Sequence, residues 1–222
     1  MALVIAVCGL KGGVGKSTLS LNLAATLHRA GWKALIVDAD SQATLRTWAA
    51  VAAEAGHDGP PVISVDSKAL DRDLKRVSGQ YDVVVVDSPA RMGAEARRAM
   101  IAADLVLCPV VPGAADVWAL KETLAVLEEA RSLRPELRAA VVMNRTDRTT
   151  LAGMTKGALG ELDVPVLKTT LGNRVAFGEA TLAGQGVVDF APGSPAAEET
   201  SALVHEVLRV LSDHGKAKKR AR

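Results

Sequence analysis

Residues 11–18 read Lys11-Gly12-Gly13-Val14-Gly15-Lys16-Ser17-Thr18, and this mixture of glycines, lysines and hydroxyls suits one chemistry above others: holding a chain of phosphates. Glycines let backbone N–H groups converge on an anion with no Cβ in the way. An apolar run precedes the string and an amphipathic stretch, Leu19 to Arg29, follows it. The loop therefore opens onto a helix N-terminus, which adds roughly half a positive charge. Lys16 is spaced to reach the terminal phosphates, and Ser17 supplies a hydroxyl to Mg²⁺. The general pattern G-x-x-x-x-G-K-[ST] asks for glycine at position 10, where this chain has Leu10. Lys11 is the residue that the general pattern does not explain. A plain glycine turn beside surface lysines is the bland alternative, and it gives no reason for the strand before the string or the helix after it.

Two acidic segments belong to the same chemistry. Val37-Asp38-Ala39-Asp40-Ser41-Gln42 follows the second apolar run. Alternation at a strand end aims Asp38 and Asp40 to one side, toward phosphates held by a neighbouring loop. The same two acids could instead form an N-cap cluster for the next helix. Tyr81-Asp82-Val83-Val84-Val85-Val86-Asp87 closes four valines with a carboxylate. Such an acid is common in α/β proteins, but in company with Lys16 and Ser17 it reads as the group that holds Mg²⁺ through water.

These residues need elements to position them. Apolar, β-rich runs recur at 3–8, 34–37, 62–65, 83–86, 105–111, 139–143 and 164–167. Helical patterns follow at 16–30, 42–55, 67–78, 93–102, 115–133, 149–161, 174–183 and 196–212. Continuous rather than alternating hydrophobicity means strands covered on both faces, so the expected class is α/β: a mostly parallel twisted sheet with helices on both faces. Gly31 is placed to close the first helix, and Ser194-Pro195 to open the last. Right-handed crossovers put the ligand-bearing loops at the carboxyl ends of the strands. The expected organisation is one domain over 1–213 and a basic tail over 214–222, with Lys216, Lys218, Lys219, Arg220 and Arg222 crowded together.

Composition narrows the classes further. A net charge of +2 with pI near 8.6 is mildly basic, compatible with one positive face. Cys8 and Cys108 lack C-x-x-C spacing, and His28, His57, His205 and His214 form no zinc pattern. A reducing cytosol suits such a chain. Met1 to Leu10 lacks the basic start of a leader and runs straight into the glycine loop, so it reads as a buried first strand. No stretch approaches the ~20 apolar residues of a membrane span. Aromatic residues make up 3% of the chain, too few for a base-stacking ladder, and Trp32, Trp48 and Trp118 are expected to be packing residues.

The string at 11–18 resembles the deviant Walker A motif of the ParA/MinD family, P-loop ATPases that partition plasmids and chromosomes and position large cellular cargoes. Residues 37–42 are similar to the family's D-x-D-P-Q segment, with Ser41 in the place of proline. Residues 108–112, leading into Asp116 and Trp118, look like the loop after its fifth strand, and 173–180 with 191–197 resemble the ending of short ParA proteins. The resemblance implies catalytic roles for Lys11, Lys16 and Asp40, the last orienting the attacking water. It implies nucleotide contacts from Lys11, Gly12, Gly13, Val14, Gly15, Lys16, Ser17, Thr18, Asn144 and Arg145, with Asn144 at the adenine. Mg²⁺ would be held by Ser17 and Asp87, with Asp38 in the shell beyond. ATP and Mg²⁺ are thus the implied cofactors.

The implied partners are a second copy of the chain, whose phosphates Lys11 contacts in an ATP-dependent homodimer, non-specific double-stranded DNA, and a ParB-like or adaptor protein that stimulates slow hydrolysis. Arg174 is the first DNA candidate, with Lys168, Arg209, Lys216, Lys218, Lys219 and Arg220 behind it. The implied location is cytoplasmic and nucleoid-associated, without a membrane. A MinD-like membrane switch would need a bulky apolar C-terminal helix, which residues 216–222 do not supply. A metabolic or redox P-loop enzyme is the other alternative; an iron–sulfur member would need paired cluster cysteines, and Cys8 in the first strand is badly placed for one.

Overall fold

Four valines and an aspartate form β4 (Val83–Asp87), a strand with all five residues fully buried. It lies within a six-stranded parallel sheet of order β3-β2-β4-β1-β5-β6, with β1 Leu3–Val7, β2 Ala34–Asp38, β3 Val62–Ser64, β5 Leu105–Val110 and β6 Arg138–Met143. The computed structural model describes residues 2–66, 69–90, 94–147 and 149–220, with side chains as far as 212.

Period-2 alternation divides each strand between two cores. Val83 and Val85 face a layer made of α1 (Lys16–Arg29), α2 (Thr44–Glu54), α7 (Val175–Leu182), α8 (Val187–Phe190) and α9 (Pro195–Arg220). Val84 and Val86 face α3 (Leu70–Val77), α4 (Ala94–Ala102), α5 (Ala114–Leu133) and α6 (Thr150–Leu159). Each buried valine contributes roughly 1.5–3 kcal/mol relative to exposure. The expected α/β architecture, a parallel sheet wrapped on both faces, is the one that forms.

Helix ends follow local chemistry. Gly31, at φ 89°, turns the chain after α1 while its N–H reaches the His28 carbonyl. Ser194 Oγ accepts the Ala197 N–H at 3.3 Å, capping α9. That helix runs on to Arg220, beyond the expected end at 212 and into the basic segment. The side chains of Lys216, Lys218, Lys219 and Arg220 lie outside the described residues.

Three expectations need correction. The run at 164–167 is not a seventh strand: it makes an isolated bridge, Val141 with Val166. Pro165 has no N–H to give, and the N–H groups of Lys168 and Thr169 turn instead to the Glu206 carboxylate, at 2.8 and 2.9 Å. The four-residue helix α8 was not foreseen. Trp48 is buried and Trp32 packs half-buried against the same core, but Trp118 is 66% exposed. The core-facing stripe of α5 runs through Val117, Leu120 and Leu127 and turns Trp118 outward.

Pro109 is tolerated inside β5 because of the edge it faces. Leu107 presents its carbonyl to Cys8 on the β1 side, so Pro109, two residues on, lacks an N–H facing the point where β1 has already left the sheet. Register does the rest of the positioning. Asp87 aligns with Val7 of β1 on one side and with Asp38 of β2 on the other. The helices after β1 and β4 leave to opposite faces, which opens a crevice at the carboxyl edge between these neighbouring strands.

Candidate functional site

The glycine string becomes the loop between β1 and α1. Gly13 and Gly15 take φ of 78° and 88°, values that favour glycine, and α1 begins directly at Lys16. Its first turn carries no acid and no side-chain cap, so the N–H groups there point at the crevice uncapped. Lys16 is 7% exposed, and its Nζ donates to the Lys11 carbonyl at 3.1 Å. Burial pulls the Lys16 pKa down, against the opposing charges of Asp87 and Asp40.

Asn144, at the end of β6, closes over this loop from the other side. Its Nδ2 donates to the Val14 carbonyl at 2.8 Å, its Oδ1 accepts the Arg145 N–H at 3.0 Å, and it is 6% exposed. In this geometry the amide braces the phosphate loop. A Cβ on Gly15 would stand 2.4 Å from Asn144 Nδ2. Gly15→Ala is therefore expected to combine left-handed strain with a clash, costing about 2–4 kcal/mol and lowering Tm by roughly 5–10 °C. Nucleotide binding should fall with it, and adding Asn144→Ala should restore part of the Tm. A Gly15→Ala protein that melts with the parent would show that neither constraint operates.

The acids occupy three distinct settings. Asp87 is fully buried and accepts from Ser17 Oγ at 2.6 Å and Ser20 Oγ at 3.1 Å. Burial pushes its pKa up to about 7, opposed by the two hydroxyls and reinforced by the nearby Asp38. Asp38 caps a helix start: its Oδ2 accepts the N–H groups of Leu45 and Arg46, both at 3.2 Å, at the beginning of α2. Asp40 is half-buried and lines a cavity of about 640 Å³ with Asp38, Arg46, Asp66, Pro89 and Glu95. Among the described residues, the non-glycine positions with positive φ are Ala43, at 55°, just after the Asp40 turn, and Arg145, at 51°, just after Asn144. Stored strain thus flanks the site on both sides.

Helix α5 holds the start of the loop. Lys11 Nζ is 2.8 Å from Asp116 Oδ2, and the Leu10 N–H donates to Thr123 Oγ1 at 3.3 Å. Sequence reasoning missed Thr123 and Ser20. Ser20 had a findable signal, since it lies three residues after Ser17 and so on the same helix face. Thr123 had none.

Among the described residues no three His, Cys, Asp or Glu side chains cluster as a metal site. A cation would instead find hydroxyl and carboxylate oxygens on Ser17 and Asp87, hard donors of the kind Mg²⁺ takes. Cys8 and Cys108 are both buried, and burial raises both thiols, Cys8 to about 12. Arg174 is bound bidentately by Glu199, at 3.0 and 2.5 Å, whereas the side chains of Lys168 and Arg209 are exposed. Among the described residues no helix is long and apolar enough to cross a membrane.

Comparison with known proteins agrees with this geometry. Residues 5–188 match the CobQ/CobB/MinD/ParA nucleotide binding domain. The chain is 35% identical over 210 residues to the maintenance of carboxysome distribution protein A of Halothiobacillus neapolitanus, covering 93% of this chain and 97% of that one. It is 32% identical over 239 residues to the chromosome-partitioning ATPase Soj of Thermus thermophilus, covering 92% and 94%. Among solved structures, the cell division ATPase MinD of Pyrococcus furiosus superposes with a TM-score of 0.80 at 24% identity, covering 95% of this chain and 100% of that one. Apo McdA from Cyanothece gives 0.77 at 20% identity, covering 94% and 100%.

Proposed function

This chain belongs to the CobQ/CobB/MinD/ParA nucleotide-binding domain family, and from that premise we propose that it is a ParA-type ATPase that binds Mg·ATP, dimerises on it, rides non-specific DNA and positions a large cellular cargo. The observation that carries this reading is the separation of the two lysines. Lys16 is folded into its own loop, while the Lys11 side chain stands 40% exposed at the rim, where a second subunit's phosphates can reach it. A loop built to serve only its own nucleotide has no use for the second cation.

The roles follow from placement. The uncapped N–H groups of the α1 start and the loop glycines receive the phosphates, and Lys16 exchanges the Lys11 carbonyl for a phosphate oxygen. Ser17 and Asp87 would hold Mg²⁺, which when bound would supply positive charge against the phosphates, while Asp38 fixes the start of α2. Asp40, on the strained turn, orients the attacking water. With its second cation delivered only by a partner subunit, the site turns over slowly until an adaptor bound to cargo completes it. The names of the relatives, carboxysome distribution and chromosome partitioning, support a cargo of that scale. The working location is then cytoplasmic and on the nucleoid, with no membrane surface required.

DNA affinity tests this reading. The candidate basic residues would hold duplex through phosphates, so binding should ignore sequence and require the ATP dimer. Each phosphate contact gives a salt slope of about 0.9, so Lys168→Ala or Arg209→Ala should lower the slope by about two in a symmetric dimer. Arg174→Ala should change it less, because Glu199 already matches that charge. Mixed-sequence duplex that stays unbound by the ATP form at low salt would refute the DNA-riding part.

A further inference from the structure

The Lys11 ammonium is already held by an acid of its own chain, and reaching a partner's phosphates takes it away from that acid. Its Nζ lies 2.8 Å from Asp116 Oδ2, with the Asp116 side chain 14% exposed, and among the described residues this is its only ion pair. Asp116 does not depend on Lys11 for its own place. It sits in the first turn of α5, where the helix dipole favours a carboxylate whatever faces it. The backbone beside Lys11 is pinned to the same helix by Leu10 N–H on Thr123 Oγ1. Only the Lys11 side chain therefore needs to move for its charge to leave. Of the other charged groups near the loop, Lys16 turns its ammonium to the Lys11 carbonyl, Asp40 turns a carboxylate oxygen to the Gln42 N–H, and Asp87 is taken by two serines.

We infer that Asp116 is a cis hold on Lys11, a positioning residue that keeps the lysine on its own subunit until a partner's phosphates compete for it. The inference rests on the trans role proposed above for Lys11. Dimerisation then requires breaking two Lys11–Asp116 pairs, one per subunit in a two-fold assembly. Each pair is partly exposed, so each opposes dimerisation by roughly threefold, about tenfold together. The hold sets an ATP-occupancy and concentration threshold: monomers carrying nucleotide remain monomers until both lysines exchange an aspartate for a phosphate.

The test uses the full chain with Asp40→Ala, to stop turnover, and reads the protein concentration for half-dimerisation by sedimentation at saturating Mg·ATP. Asp116→Asn should lower that concentration about tenfold and leave the monomer's nucleotide affinity within threefold of the parent. Asp116→Glu, which keeps an acid within reach of Lys11, should leave it near the parent value, and so guards against a trivial effect on folding. Combined with Lys11→Ala, Asp116→Asn should have no effect, since the group it releases is gone. A dimer that forms at the same or higher concentration in Asp116→Asn overturns the hold. If Lys11→Ala alone dimerises like the parent, the trans contact itself fails and the hold fails with it, and that outcome is distinct because it appears with Asp116 intact.

Discussion

Lys16→Ala abolishes ATP binding, while Asp40→Ala binds ATP and accumulates as a dimer: this is the expected split between two charged residues of one site. Lys16 is buried in the loop that would hold the phosphates, so removing it deletes the one ammonium directed there and leaves the uncapped N–H groups to hold a multiply charged anion alone. Charge-assisted hydrogen bonds of that kind, lost together, should weaken binding at least about a hundredfold, or ~2.7 kcal/mol. Asp40 lies at the cavity edge on the β2 side and touches its own turn, through Gln42 N–H at 3.0 Å, and not the loop. Its removal also takes a negative charge away from the phosphates, so affinity should hold or rise. Titration with a fluorescent ATP analogue and sedimentation of the same samples decide the matter. Equal loss of binding in both variants would show that the two residues share one job.

The phosphate loop was legible in the sequence because its constraints are local: glycine where φ is positive, a lysine, then a hydroxyl at a helix start. The sheet was legible because a parallel strand buried on both faces has to be apolar throughout, as in Val83 to Val86. What escaped was set by distant partners. Residues 164–167 look like a strand, and only Glu206, some forty positions later on α9, shows that their continuation has its N–H groups elsewhere. The capping contacts of Asp38 emerge only when α2 is seen to start at Thr44 against its carboxylate. Arg174 promised a free charge until Glu199 folded onto it. The pairing of Lys11 with Asp116 spans 105 positions and has no local signature at all.

Asp87→Asn should stabilise the nucleotide-free protein and at the same time remove its response to Mg·ATP. A carboxylate at 0% exposure with its pKa near 7, against about 3.9 in the unfolded chain, binds a proton more readily when folded. Below about pH 4 both states hold that proton and nothing is lost. As pH rises from about 4 to 7 the unfolded chain releases it first, so stability falls through this window and stays low above it. Three units correspond to a loss on the order of 4 kcal/mol. Asparagine keeps the shape and carries no charge, and the Ser17 and Ser20 hydroxyls can rotate to donate to its oxygen and accept from its amide. At pH 8 the variant should therefore melt several degrees above the parent without nucleotide, and its Tm should lose the fall between pH 4 and 7 that this carboxylate contributes. With Mg·ATP the order should reverse, because only the parent retains the carboxylate proposed to hold the cation and so should gain stability from the bound nucleotide. Thermal melts of both proteins across pH, with and without Mg·ATP, supply the four curves needed. A variant that melts below the parent at pH 8, or that gains as much from Mg·ATP, would show that Asp87 is a structural carboxylate whose burial is already compensated and that the cation is held elsewhere.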